Sequence, residues 1–265
     1  MKKYQRFFEY INILNLCATA IVLVGLQQKP IGWFLLAFGI LLLAFCSRQF
    51  SKHLLLVYLS LGFLGLTPIN TDIDPLHVVL MGGTLLMALF LPYLVSRYIY
   101  KDRIIQYKFR LGRKWHGREL AYILLTAAIA YFLLPFYLAD TRAYLNWTVE
   151  PGFAYIFMFF LGTNALGIWD ELFFVNTVLR ILRRYLPFWL ANLVQAILFT
   201  SFLYELGFTG WAPPLIYIFA LTQGYIFKKT DSLLYIIAIH LTLDLVLFLA
   251  LINAHHPDWL NVFIT

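Results

Sequence analysis

The sequence predicts an all-α fold, a polytopic bundle of eight or nine transmembrane helices in a single domain. Hydrophobic residues make up 62% of the 265 residues, whereas charged residues make up only 12%. That charged fraction is about half of the value for a soluble domain. The mean hydropathy is +0.78. Because no Pro-, Gly- or Ser-rich linker divides the chain, one continuous helical bundle is expected.

Nine apolar runs are long enough to be considered as membrane spans. A helix needs about 20 apolar residues to cross the hydrocarbon core. Two runs, the second and the eighth, are shorter than that. In chain order the nine runs lie at 8–26, 30–46, 54–70, 77–99, 120–139, 153–179, 187–206, 211–227 and 232–253.

The basic residues predict how the chain is oriented in the membrane. Alternate connections carry 18 of the 20 Lys and Arg residues, and the others carry only Lys29 and Arg142. The positive-inside rule then places the N-terminus in the cytoplasm and the C-terminus outside. Nine spans satisfy this alternation, and we expect a bacterial plasma membrane. The basic run 97–118 fits contact with anionic lipid head groups, so no nucleic-acid partner is expected.

Two adjacent carboxylates, Asp170 and Glu171, lie inside a run that otherwise reads as a membrane helix. This run, residues 153–178, is FAYIFMFFLGTNALGIWDELFFVNTV. A charged side chain deep in a bilayer costs from about 2.5 kcal/mol to much more. A pair of such groups therefore indicates function. The alternative is a structural role in which Asn164, Trp169 or a neighbouring basic residue holds them.

The last span carries polar residues at the same depth. Glu171 lies about 13 Å and His240 about 12 Å from the basic ends of their helices, at 1.5 Å per residue. Asp244 is one turn beyond His240 on the same helix face. The sequence therefore predicts that Asp170, Glu171, His240 and Asp244 meet in a shared, hydrated hollow below the inner membrane surface.

Proton transfer is the chemistry that such a group suits. Paired carboxylates can hold one proton between them and can act as base and acid on a water molecule. A histidine beside them can donate a hydrogen bond to a developing oxyanion. Peptide hydrolysis then needs no cofactor. A Zn²⁺ site is the alternative, although HExxH is absent and only one histidine lies at this level.

Two segments resemble the CPBP family, the intramembrane proteases that include the CAAX-prenyl and bacteriocin-processing (Abi-type) enzymes. The first is WDELFFVNTVLRILRRYLP at 169–187, where the family has a Glu-Glu pair followed by Arg-Gly. The second is FALTQGYIFKKTDSLLYIIAIHLTLDLVL at 219–247, with a Gly-aromatic turn, a basic loop, Ser-Leu and a histidine followed four residues later by Asn or Asp. The resemblance covers about residues 150–250. The first 118 residues show no such match.

The chain departs from the family pattern at several positions. Val175 and Asn176 stand where Arg-Gly is usual. In the seventh span, Phe199 fits the aromatic position, but Leu203 stands where a histidine is expected. Glu205 would align with that histidine if the register shifts by two residues.

The resemblance implies an N-terminal part at 1–118 and a protease core at 119–265. It also implies a glutamic-type endopeptidase that acts on a peptide or protein in the bilayer. Asp170 and Glu171 would activate water, His240 and Asp244 would assist, and Glu205 would replace the missing histidine. Two alternatives stay open: an inactive member that acts as a membrane scaffold or chaperone, and a proton-coupled transporter that uses the same cluster as a relay.

Overall fold

The computed structural model describes residues 2–71, 74–109, 114–260 and 262–263, and within them every regular element is helical. Three charged residues of the predicted charge pattern lie outside the described residues, namely Asp72, Arg110 and Arg113. The α-helices are α1 (Lys2–Thr19), α2 (Lys29–Leu42), α3 (Arg48–Leu66), α4 (Pro75–Leu94), α5 (Gly117–Thr141), α6 (Phe153–Asp170), α7 (Leu179–Leu182), α8 (Phe188–Glu205), α9 (Ala212–Thr230) and α10 (Leu233–His255).

Three helices contain π-helical turns. Ala20–Gly25 extends α1, Val95–Tyr100 extends α4, and Glu171–Val178 joins α6 to α7 into one continuous helical segment. Short 3₁₀ turns follow α2 at Leu43–Phe45 and precede α6 at Ala143–Asn146. Each of the nine predicted spans therefore coincides with one helical segment.

Six of the described helical segments are long and apolar enough to cross a membrane. The predicted count of nine spans stays a prediction, because the helix at Lys29–Phe45 is shorter and length and composition alone define these candidates. The six are Tyr4–Gly25, Arg48–Leu66, Pro75–Tyr100, Gly117–Thr141, Phe188–Glu205 and Leu233–His255.

Local sequence signals explain several helix ends. The Asp74 carboxylate caps α4 by accepting from the His77 amide, and the Ser232 hydroxyl caps α10 by accepting from the Tyr235 amide. The predicted third span, 54–70, is displaced relative to α3. Thr67 is extended because a residue before a proline avoids helical geometry, so the helix ends at Leu66.

The helices share one buried hydrophobic core that draws residues from both halves of the chain. In sequence order, α1, α2 and α3 pack on each other, α3 packs on α4, and the π-helical turn Ala20–Gly25 packs on α8. In the C-terminal half, α5 packs mainly along α10 and α9 mainly along α8, while α6 packs on α10.

A polar network ties α1, α2 and α3 together. Asn15 Nδ2 donates to the Tyr58 hydroxyl at 3.0 Å, and that hydroxyl donates to Asn12 Oδ1 at 2.8 Å. Asn12 Nδ2 in turn donates to the backbone carbonyl of Gly39 at 2.9 Å. A Cβ atom at Gly39 would overlap both Tyr58 and Asn15, so this position needs a glycine.

We expect Gly39→Ala to destabilise the protein by about 1–3 kcal/mol, since overpacking displaces the buried network. Gly82→Ala is the matched control, because Gly82 also lies inside a helix but has no neighbour within 4 Å of an added Cβ. Thermal unfolding in detergent measures both changes. Equal midpoints for the two variants would contradict the assigned close contact.

A second network joins α3 to the segment after α4 and to the turn before α8. His53 Nε2 pairs with Asp102 Oδ2 at 2.5 Å, and His53 Nδ1 bonds to the Tyr185 hydroxyl. Asp102 also accepts from the Ser96 hydroxyl at 2.8 Å and lies 3.3 Å from Lys52 Nζ. Burial raises the pKa of Asp102, but the hydrogen bonds from His53, Ser96 and the backbone amide of Ile104 lower it from 3.8 to about 2.

This lowered pKa predicts a loss of stability in acid. A carboxyl group whose folded pKa lies below its unfolded value stabilises the fold above that unfolded value and loses this contribution as the pH falls to the folded pKa. Thermal midpoints should therefore fall as the pH drops from above 3.8 towards 2. Asp102→Asn should be less stable at the higher pH and should lose less on acidification. Identical pH slopes for the two proteins would refute this assignment.

Candidate active site

The site is built around His240, which is surrounded by three carboxylates. His240 Nδ1 lies 2.8 Å from Glu171 Oε1. His240 Nε2 lies 3.9 Å from Asp170 Oδ2 and 3.7 Å from Asp244 Oδ1. All four side chains are buried, with residue exposures between 0% and 5%. The structure thus brings together the four residues that the depth argument placed at one level.

The local helix geometry separates the two adjacent carboxylates. Asp170 is the last residue of α6, and Glu171 opens the π-helical turn Glu171–Val178. π-Helical turns occur frequently at functional sites. As a result Asp170 faces the Nε2 side of His240, whereas Glu171 bonds to Nδ1. The two acids therefore contact opposite nitrogens of one ring.

Gln223 fixes the position of Glu171. Its Nε2 donates to Glu171 Oε1 at 2.8 Å and to the backbone carbonyl of Ile236 at 3.1 Å. Gln223 thereby joins α9 to α10. Its contact with Glu171 was not predicted, because sequence spacing does not show which residues of two separate helices face each other.

The side chains that the sequence suggested as structural partners of the two acids form hydrogen bonds with other groups. Asn164 Nδ2 donates to the carbonyl of Phe160, and Trp169 Nε1 donates to the carbonyl of Leu85. Asp170 Oδ1, Glu171 Oε2 and Asp244 Oδ2 are buried and make no hydrogen bond within the described residues. Unpaired buried acceptors are rare and costly, so these three oxygens need an explanation beyond the packing of the helices.

Gly167 allows α10 to approach α6 at the site. A Cβ atom at Gly167 would overlap the Asp244 carboxylate and would press on the His240 ring. This glycine lies three residues before Asp170, so it faces the same neighbours. Sequence reasoning missed it, although a small residue one turn from a buried acid is a recognisable signal for close helix packing.

We expect Gly167→Ala to destabilise the protein by about 1–3 kcal/mol, because Asp244 and His240 must move to admit the methyl group. Gly162→Ala on the same helix is the control, since nothing lies within 4 Å of its added Cβ. Thermal unfolding in detergent compares the two. A Gly167→Ala protein as stable as the control would show that α6 and α10 do not approach so closely.

A cavity of about 350 Å³ leads to three of the four residues. Asp170, His240 and Asp244 line it, whereas Glu171 does not. Its walls are α5, from Tyr122 to Tyr137, and α9, from Ala212 to Thr222. The lining is otherwise almost entirely apolar.

The cavity opens sideways between α5 and α9. Ile129 and Ile218 line it and are 54% and 56% exposed, so its rim lies on the outer surface of the bundle. It also extends towards Trp147 and Trp211, at the ends of the helices away from the basic loops. On the basic side, the Tyr235 hydroxyl donates to the carbonyl of Glu119 and holds α10 against α5.

The cavity reaches from Tyr122 and Thr126, in the first turns of α5, to Trp147 and Trp211 at the other ends of the helices. The expected hollow below the inner membrane surface stays a prediction, because length and composition alone define the membrane spans.

The structure does not bring Glu205 to the cluster. It is the last residue of α8 and lies close enough to Lys29 to interact with that charge. Phe199, two turns earlier, packs its ring 5.9 Å from the His240 ring. Leu203 lines the cavity, so the position where the resembled family carries a histidine is apolar here. Within the described residues, no group of three or more His, Cys, Asp or Glu side chains could hold a metal ion.

Comparison with known proteins finds a family likeness over part of the chain. Residues 151–246 match the family model described as type II CAAX prenyl endopeptidase Rce1-like. This match confirms the resemblance to the CPBP proteases over the predicted part of the chain, and it points to a protease at the level of the family. No curated protein and no solved structure matches the chain. With its six apolar helices, the chain is an integral membrane protein.

Proposed function

We propose that this protein is an intramembrane endopeptidase that hydrolyses a peptide bond at the Asp170–Glu171–His240–Asp244 cluster. The observation that carries the proposal is one buried histidine held by three carboxylates at the end of an apolar, laterally open cavity. Ionisable groups inside a membrane bundle are expensive and mark functional sites. The match of residues 151–246 to a protease family supports the same assignment.

The geometry supports separate roles for the acids. Glu171 accepts hydrogen bonds from both Gln223 and His240, so it orients the imidazole ring. Asp170 lines the cavity and carries an oxygen without a protein partner in the described part of the chain, so it is the base that activates water. His240 Nε2 faces the cavity between Asp170 and Asp244.

The proposed reaction follows from these positions. Asp170 takes a proton from water, and the water oxygen adds to the carbonyl carbon of the peptide. Protonated His240 donates from Nε2 to the oxygen that becomes negatively charged, as a fixed donor stabilises an oxyanion. The C–N bond then breaks, the leaving amine takes the proton from Asp170, and the new carboxyl group departs. Asp244, whose Oδ1 lies 3.7 Å from Nε2, helps to hold the imidazole ring in place.

The cavity supports access from the bilayer. Its walls are apolar and its rim is exposed between α5 and α9, so a lipid-attached or membrane-embedded peptide can reach Asp170 without leaving the hydrocarbon region. The matched family is named for CAAX prenyl endopeptidases. A prenylated peptide that ends in Cys-aliphatic-aliphatic-X is therefore the first substrate to test.

We expect Asp170→Asn, Glu171→Gln and His240→Ala each to abolish cleavage of a farnesylated CAAX peptide by the purified protein in liposomes. General acid–base groups commonly contribute about 100- to 10,000-fold to a rate. Glu205→Gln is the matched control, because it removes a half-buried acid that lies apart from the cluster. Mass spectrometry of the products measures cleavage, and an unprenylated peptide shows whether the lipid is needed.

Full activity in the three cluster variants would refute the proposed site. Loss of activity in Glu205→Gln would show that Glu205 belongs to the active site, as the resemblance implied. Binding of the peptide without cleavage by the unaltered protein would instead favour the membrane scaffold. Proton movement in empty liposomes that Asp170→Asn removes would favour the transporter.

A further inference from the structure

Three buried carboxamides lie on the π-helical turn that begins at Glu171 and on the two helices, α8 and α9, that pack against this turn. We call Asn176, Gln195 and Gln223 the amide layer. They come from the π-helical turn Glu171–Val178, from α8 and from α9, and each residue is 0% exposed. None of the three lines the cavity between α5 and α9. The proposed hydrolysis does not account for so much buried polarity.

Each member of the amide layer carries a polar atom without a partner in the described part of the chain. These atoms are Asn176 Nδ2, Gln195 Oε1 and Gln223 Oε1, and Glu171 Oε2 is in the same condition. Leaving a buried polar atom unpaired costs about 1–3 kcal/mol. Buried waters typically make two to four hydrogen bonds to such atoms. Four such unpaired atoms, on helices that pack against each other, are better explained by a chain of bound water molecules than by four unrelated unpaired groups.

Hydrogen bonds connect the amide layer to Glu171 at one end and to the exterior at the other. Gln223 Nε2 donates to Glu171 Oε1 at 2.8 Å. At the other end, Arg180 Nε donates to Asn176 Oδ1 at 2.8 Å, and Arg180 lies 3.3 Å from Asp231. The Asp231 side chain is 41% exposed. Between these two ends no hydrogen bond joins the three carboxamides in the described part of the chain, and their unpaired atoms leave that stretch to water molecules.

The π-helical turn produces this alignment. A π-helix pairs residues five apart, and Asn176 follows Glu171 by five. The Thr177 hydroxyl bonds to the carbonyl of Leu172 with the same spacing. Regular α-helix resumes at Leu179, and Arg180 lies one α-helical turn beyond Asn176. Glu171, Asn176 and Arg180 therefore follow one another along one face.

We propose that the amide layer is a hydrated path that supplies water and protons to Glu171 from the face of the bundle that bears Arg180 and Asp231. This inference rests on the proposed hydrolysis, since the water that Asp170 activates would pass from Glu171 around the His240 ring, which both acids contact. A peptide enters through the apolar cavity between α5 and α9, whereas water arrives from the opposite side of the cluster. The site then stays hydrated while an apolar substrate fills the cavity.

Silver-ion accessibility of introduced cysteines tests the path without a substrate. Asn176→Cys and Gln195→Cys are made in a chain that carries Cys17→Ala and Cys46→Ala. Val175→Cys and Ala196→Cys are the controls, because these neighbours are also 0% exposed but lie outside the amide layer. Ag⁺ is added to the face that bears Arg180. Thiols that escaped Ag⁺ are then counted by maleimide labelling after denaturation in detergent.

We expect both amide-layer cysteines to react at least several-fold faster than their controls, because a thiol reacts as the thiolate and needs water. Equal rates within both pairs would overturn the proposal. The pairs lie on different helices, so either one decides the question if a variant of the other fails to elute as a folded protein. Peptide cleavage is scored separately. The two proposals can therefore fail separately. The protein can be inactive although the amide layer is hydrated, or active although the amide layer is dry.

Discussion

The structure depends on the compensation of buried charge. Asp170, Glu171 and Asp244 are excluded from solvent, and an uncompensated carboxylate in such surroundings is too costly to persist. His240 supplies the shared partner, since it reaches all three acids from the middle of α10. One histidine therefore determines how α6 and α10 must face each other. It also leaves carboxylate oxygens directed towards the cavity.

Helix irregularities make this arrangement fit. Without the π-helical turn at Glu171–Val178, which pairs residues five apart, Asn176 would not follow Glu171 along one face. Gly167 removes a methyl group where the Asp244 carboxylate must lie. These two features act at the level of single atoms. They turn a pair of acidic residues into two groups with different neighbours, one at the cavity and one at the amide layer.

The two sides of the cluster differ in polarity. The cavity between α5 and α9 is apolar and reaches the outer surface of the bundle, whereas Asn176, Arg180 and Asp231 form a row of polar contacts. This division suits hydrolysis in a membrane, because an apolar substrate and water have opposite solvation requirements. The N-terminal helices lie outside the matched segment, but they share the hydrophobic core and contact α8.

The sequence alone determined the helical class, the positions of the helical segments and the level at which four ionisable residues lie, because hydropathy and the rise per residue act along the chain. It also carried the resemblance at residues 150–250. Only the tertiary structure decided which nitrogen of His240 each acid faces, that Glu205 lies apart near Lys29, and that an apolar cavity lined by α5 and α9 reaches Asp170. Those outcomes depend on helix rotation and on atomic contacts between distant segments, such as Gly167 with Asp244, and no pattern along the chain encodes them.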